Sequence, residues 1–336
     1  MSRALDAETA ALLKQGDPRA AYEAISGVLV APGDGLLEIE ILGKSHPLEE
    51  GQHVARDGRA VGISKLGLVQ AFTVARQVLR DHLDGLYPPT SHEVLAATAV
   101  ILLFDPEHLA AANARKRRIH AEMFASTLAS CETLLEEKCF LDSLLTSRLH
   151  RHTKSPTLWS HRRWLTTMFA SRNMGVDVLG DLRSVVFVAG ERHPRNYYAW
   201  CHARFLMGLK CSSVNLPDAL AAVQAWCFQH HTDISGWSFL SFLLNTENGP
   251  GTGGCSTFAE VLDLVTSLRL ANESVWVFLR TLAASRLVGD EQYSRFLAVQ
   301  AAVLGTAKTP ADQAVLRAAV DWCETYRHKG ARLAGA

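Results

Sequence analysis

Two cations stand just ahead of helix starts in this 336-residue chain. Lys154 precedes Ser155-Pro156, and Arg195 precedes Asn196-Tyr197-Tyr198. A helix N-terminus already offers unpaired N–H groups and the positive end of a dipole. A cation placed there is mildly unfavourable for the helix and suits an anionic partner. A diphosphate leaving group gains charge as its carbon–oxygen bond breaks, and a fixed cation beside it lowers that barrier. The chemistry available to the pair is therefore to hold an anion, with the phenols of Tyr197 and Tyr198 as further donors. The competing reading is ordinary solvated surface charge. Residues 113–163 hold ten Lys/Arg against five Asp/Glu, including Arg115-Lys-Arg-Arg118, Arg148, Arg151 and Arg162-Arg163. That bias suits a diphosphate or an acidic partner face, or else a solvated helix face. A nuclear-localisation reading of Arg115–Arg118 is weak, because the run lies inside a predicted helix.

The elements that must position these residues are announced by tryptophan. Trp159, Trp200, Trp237 and Trp276 recur at steps of 41, 37 and 39 residues, a period that marks stacked supersecondary units. Four residues before each stands a helix-capping type: Ser155, Asn196, Asp233 and Asn272. Six residues after each stands Leu165, Leu206, Leu243 or Leu282, and five after stand Trp164, Phe205 and Phe242, with Thr281 breaking the series. Each unit therefore starts a helix at a cap, with tryptophan one turn in and an apolar face behind it. Pro156 falls at the first helical position, where its missing N–H costs nothing. A degenerate fifth unit precedes the four around Ala112, with Arg115 at the +3 position, no tryptophan, and His108 as a poor cap. The fold expected is all-α: an α-α superhelix, a crescent solenoid of helical hairpins.

Repeat helices are predicted to begin near 156, 197, 234 and 273, with partner helices about 177–191, 217–230 and 256–270. Others fall near 64–84, 92–103, 106–124, 126–149, 290–304 and 310–327. Residues 1–30 carry a short helical pattern through Ala10, Leu12, Leu13, Tyr22, Ile25 and Val28. Residues 36–42 alternate with period two and read as a short strand or extended segment, residues 43–63 as a loop, and strands are otherwise absent. The chain divides into an N-terminal helical and extended segment, 1–63, and a helical-repeat domain, 64–330.

Composition narrows the function classes. The chain is 48% hydrophobic with formal net charge zero, so no overall field favours nucleic acid or an anionic membrane. Seven cysteines are scattered without a Cys-x-x-Cys pair, and reduced thiols in the cytoplasm are the default. Met1–Gln15 does not read as a signal peptide, no apolar run is long enough to span a bilayer, and the last residues hold no cysteine to carry a lipid. His161, His202, His230 and His231 form no metal spacing; the first two share the Trp+2 column and read as structural. Gly249-Pro-Gly-Thr-Gly-Gly254 resembles a phosphate loop only by glycine count, lacks Gly-Lys-[Ser/Thr], and reads as a linker. No Ser–His–Asp arrangement can be placed.

The segments Lys154-Ser-Pro-Thr-Leu-Trp-Ser-His-Arg-Arg-Trp-Leu165 and Pro194-Arg-Asn-Tyr-Tyr-Ala-Trp-Cys-His-Ala-Arg-Phe-Leu206 resemble the repeats of protein prenyltransferase α subunits, and Asn272-Glu-Ser-Val-Trp276 is similar to the last of them. The likeness runs from about 95 to 285 and is strongest to a branch of repeat-containing members. It implies an α-type subunit of a heterodimer that transfers an isoprenoid, of geranylgeranyl type, to a protein with a C-terminal cysteine. It places zinc on a partner β subunit and no cofactor on this chain, with the isoprenoid diphosphate as co-substrate. It gives Lys154 a catalytic role at the diphosphate and makes Arg195, Tyr197 and Tyr198 substrate-binding. Trp159, Arg162, Asn196, Trp200, Arg204, Trp237 and Trp276 become repeat residues. The chain departs from the family's pattern where Ala203, Leu240 and Leu279 replace arginine at Trp+3, with Arg204 and Arg280 at +4 as candidate replacements, and where Pro156 and Tyr198 replace the family's Tyr and His. Those losses favour the alternative, a non-catalytic helical scaffold that binds proteins.

Overall fold

The computed structural model describes residues 16–30, 35–43, 45–46, 48–49, 51–88, 90–125, 127–209, 215–246 and 252–332. The chain divides into two compact units, one of residues 1–176 with 184–212, the other of 177–183 with 213–336.

The first unit opens with α1 (Pro18–Val30), β1 (Glu38–Leu42), β2 (Val54–Asp57) and β3 (Ala60–Ser64). Then come α2 (Lys65–Leu83), α3 (His92–Phe104), α4 (Leu109–Ala125), α5 (Thr127–Leu145), α6 (His150–Thr153) and α7 (Pro156–Ser171). Next in sequence are α8 (Val178–Asp181), which belongs to the second unit, a π-helical turn (Leu182–Val186), α9 (Phe187–Arg192) and α10 (Tyr197–Met207). The second unit continues with α11 (Leu216–Gln229), α12 (Ile234–Thr246), α13 (Thr252–Leu268), α14 (Glu273–Ala283), α15 (Asp290–Thr306) and α16 (Pro310–Arg332). The repeat helices thus begin where the caps and tryptophans place them, and the architecture is an all-α helical repeat.

Three expectations need correction. Residues 43–63 are not simply loop: β2 and β3 form an antiparallel hairpin, and β1 pairs parallel to β3 in the order β1-β3-β2. The two-residue loop is Gly58-Arg59, with Gly58 at φ 56, a left-handed conformation that glycine adopts without strain. Val61 and Ile63 then alternate into the interior. Second, the glycine-rich linker does not reach Gly254, because α13 starts at Thr252; residues 249–251 lie outside the described residues, as do Ala10, Leu12 and Leu13. Third, the supposed poor cap His108 does cap: its Nδ1 accepts from the Ala111 amide at 3.2 Å.

The same third-residue amide is bound in the other units. Ser155 accepts from Leu158 N at 3.1 Å, Asn196 from Ala199 N at 3.3 Å, and Asp233 from Gly236 N at 3.1 Å. Asn272 breaks this pattern, making no side-chain cap bond. The four tryptophans are at most 3% exposed and the four leucines at most 1%. Three indoles donate to the carbonyl six residues before them: Trp159 to Thr153 at 2.8 Å, Trp237 to His231 at 3.0 Å and Trp276 to Leu270 at 2.8 Å.

Two of those carbonyls are shared. Asn196 Nδ2 donates to Thr153 O at 2.7 Å, and Asn272 Nδ2 to His231 O at 2.7 Å. These two caps therefore reach the carbonyl that also receives the tryptophan of the repeat before. The degenerate unit obeys the rule: Ser155 Oγ donates to Pro106 O at 3.1 Å, and Pro106 stands six before Ala112. Asp233 fills the equivalent position with a carboxylate, which has no N–H to donate.

Candidate functional site

The basic stretch of the first unit separates into a buried half and an exposed half. The buried half is paired. Arg115, 3% exposed, clamps Glu137 at 2.7 and 2.8 Å and spends its remaining nitrogen on Leu95 O and Thr98 Oγ1. Arg162, 1% exposed, donates to Asp142 at 2.6 Å and meets His202 Nε2, while Lys138 closes on the same carboxylate at 2.6 Å. Both acids lie on α5, between the arginines of α4 and α7. Desolvation would raise the Asp142 carboxyl, but Arg162 and Lys138 outweigh it and hold it below the usual range. Desolvation opposes, and Arg115 overcomes it, so Glu137 is likewise held below the usual range. Burial presses His161 down to about 4 and His202 well below the ordinary value. Arg115 and Arg162 are therefore interior ties, not part of a diphosphate-binding face. Sequence reading missed their partners because Glu137 and Asp142 sit in a helix without a repeat column to flag them.

Arg204 Nη1 donates to Trp200 O within its own helix at 3.3 Å. The side chain of α10 that meets α7 at the arginine is His202. In the second unit Arg280 lies over the Trp322 ring at 4.6 Å, a cation–π contact.

The exposed half gathers where the cap ends of the first unit's hairpins emerge. α6 and the turn before it bring Arg148, His150, Arg151 and Lys154; the end of α9 and the turn after it bring Arg192, His193 and Arg195. The His150 and His193 rings meet edge to face at 5.8 Å. His193 is pulled below its ordinary value first by burial, then by the positive charges of Lys154 and His150. Arg192 is lowered by burial and by Arg148, with Glu38 and Glu191 opposing. Of the acids nearby, Asp105 is engaged by Arg151 at 2.9 Å and Glu107 by the Thr157 hydroxyl at 2.6 Å. Lys154 itself is exposed and makes no ion pair among the described residues. Like charges are thus held against one another, an arrangement that an anion would relieve.

Arg195 is exposed and sits at φ 61, a left-handed conformation that costs a residue with a Cβ on the order of 1–2 kcal/mol. Tyr197 and Tyr198 are 68% and 39% exposed, their rings 5.5 Å apart. Lys154 and Arg195 thus flank His193 by charge and by chain, and the two phenols follow on the first turn of α10. No group of three His, Cys, Asp or Glu among the described residues is placed to hold a metal ion. No helix among them is long and apolar enough to cross a membrane.

Residues 158–265 match the ECM9 middle domain family. Over 173 residues the chain is 27% identical to the human protein prenyltransferase alpha subunit repeat-containing protein 1, covering 46% of this chain and 40% of that protein. The zebrafish (Danio rerio) protein of the same name is 29% identical over 168 residues, covering 44% and 36%. Protein ECM9 of Saccharomyces cerevisiae is 31% identical over 124 residues, covering 35% and 31%. The chain thus spans less than half the length of the curated relatives it matches, and across its repeats it is similar to proteins named for prenyltransferase α-subunit repeats and to ECM9.

Proposed function

We propose that this chain acts as the α-type subunit of a heterodimeric protein prenyltransferase, of the geranylgeranyl-transferring kind, working in the cytoplasm. The observation that carries the reading is Lys154: an exposed cation without an ion-pair partner among the described residues, held beside two histidines at the cap end of the ladder. In this reading the partner β subunit holds the zinc that activates the substrate thiolate. The isoprenoid diphosphate is a substrate, and its phosphate oxygens meet Lys154, with Arg195 and the hydroxyls of Tyr197 and Tyr198 at the rim. The ammonium of Lys154 then counters the charge that grows on the leaving group. The protein substrate ends in cysteine.

The test is co-purification with a zinc-containing β subunit, followed by transfer of a labelled isoprenoid to a Cys-ending protein. Lys154→Ala should leave the heterodimer intact and slow transfer by about 10²-fold or more, the scale of losing one transition-state contact. Two species that stay separate on a sizing column would sink the reading.

A second reading, a helical-repeat scaffold that binds proteins without catalysis, is favoured by the second unit. Its Trp+3 column holds Leu240 and Leu279, both buried, where the first unit keeps Arg162. A complex that forms but transfers nothing under any isoprenoid supports it.

A further inference from the structure

We propose that His150 and His193 are proton-coupled ligands of the same anion that Lys154 receives, so that this face takes a phosphate-type dianion more tightly as the pair protonates. The inference rests on the assignment of Lys154 to a diphosphate and adds to it a second and third ligand and a pH control.

The geometry supplies the case. His150 opens α6 and His193 closes α9, two elements that pack together, and the rings touch at 5.8 Å. His150 is exposed and His193 partly so, which leaves their ring nitrogens accessible. Lys154 acts on His193 by charge, and the charged groups along the two elements are mostly positive in sequence. Lys154 and Arg151 come from the α6 segment and Arg148 from the turn before it; Arg192 comes from α9 and Arg195 from the turn after it. Against these stand Asp105, taken by Arg151, and Glu38 and Glu191, which act on Arg192. The neighbouring His152 is not part of the pair: it is buried, with Nε2 against the Leu102 and Leu103 carbonyls.

With no anion bound, His193 is held below its ordinary value first by burial and then by the charges of Lys154 and His150. A dianion between them reverses the sign. Each proton taken up then strengthens the anion, and by linkage the anion strengthens each proton equally. Imidazole is the side chain that makes such a change near neutral pH.

The probe is inorganic sulfate, which stays a dianion throughout the range, read on the full chain by the histidine ring resonances in NMR. Sulfate should raise the titration midpoint of His193, perturb the His150 ring resonances, and bind roughly tenfold more tightly at pH 6 than at pH 8, a coupling of ordinary size. His150→Gln with His193→Gln, both at accessible positions, should abolish that difference while leaving weak binding that Lys154→Met removes. Equal affinity at the two pH values overturns the histidine assignment and leaves Lys154 standing if Lys154→Met still weakens binding. No sulfate binding at either pH overturns both.

Discussion

The two units carry the same ladder with different interiors. In the first unit the Trp+2 and Trp+3 columns hold His161 with Arg162, then His202 with Ala203; in the second they hold Phe239 with Leu240, then Phe278 with Leu279. All eight are buried, none more than 3% exposed. The first interior is built of ion pairs: Arg115 with Glu137, Arg162 with Asp142 and Lys138. The second is built of rings: Trp237 against Phe278 at 4.9 Å and Trp276 against Phe296 at 5.7 Å. Yet both keep the shared carbonyl and the buried tryptophan. The repeat is therefore defined by its backbone tie, and the columns beside it are free to be charged or greasy. Buried ion pairs give little net stability and are lost badly when one partner goes. Aromatic packing is more tolerant of pH.

Acid should separate the two units most strongly. His152, His161 and His202 are neutral in the fold because burial lowers them, the first two to about 4. The unfolded chain binds those protons near pH 6.5, so stability is fully present above that value and drains as pH falls toward 4. Each of the first two contributes roughly 3 kcal/mol across that window. Hydrogen exchange at pH 5 should show α7 and α10 opening well before α12 and α14; simultaneous opening breaks the contrast.

Arg162→Ala leaves Asp142 buried with only Lys138 and should cost about 3–5 kcal/mol in urea unfolding. Arg162→Met with Asp142→Leu should recover most of that loss, since an apolar pair of similar volume removes the stranded charge. A double variant no better than the single would show that the ion pair is needed for more than its charge balance.

Gly236→Ala tests the second interior. A Cβ there would stand 2.5 Å from Trp226 Cζ3, and shifting that ring should cost about 1–3 kcal/mol. Trp159→Phe and Trp237→Phe should then lose similar amounts, about 1–3 kcal/mol each, because each strips one donor from a shared carbonyl. Unequal losses would mean that the tie is not common to both units. The smallest effect is expected at Asn272→Ala, about 1 kcal/mol from one lost tie. Asn196→Ala should exceed it, because that side chain caps and ties at once.

The ladder was legible in the sequence because a capping residue and a tryptophan at fixed spacing each answer to a local rule. The starts at 156, 197, 234 and 273 follow from that alone. The ties were not legible, since an acceptor carbonyl has no residue type: Thr153, His231 and Pro106 share nothing but a backbone oxygen. Glu137 and Asp142 were hidden because a basic stretch looks solvated until its acids arrive from another helix. His150 escaped notice since it stands outside every column. His193 carries no motif of its own, its ring contact being a matter of tertiary placement. The hairpin at 54–64 was within reach, as glycine leads its two-residue loop Gly58-Arg59, but the charge around it resembles a loop.

The doubly accepting oxygens of Thr153 and His231 have a further implication. Each receives two donors, one from its own repeat and one from the next. A joint made on an amide oxygen fits any amino acid on the receiving side, so these two repeats present a socket indifferent to sequence, and the asparagine after each supplies the plug. Segments of such a chain are interchangeable parts: a repeat transplanted from another ladder needs only a tryptophan and a hydrogen-bond donor at its cap to couple to the unit before it.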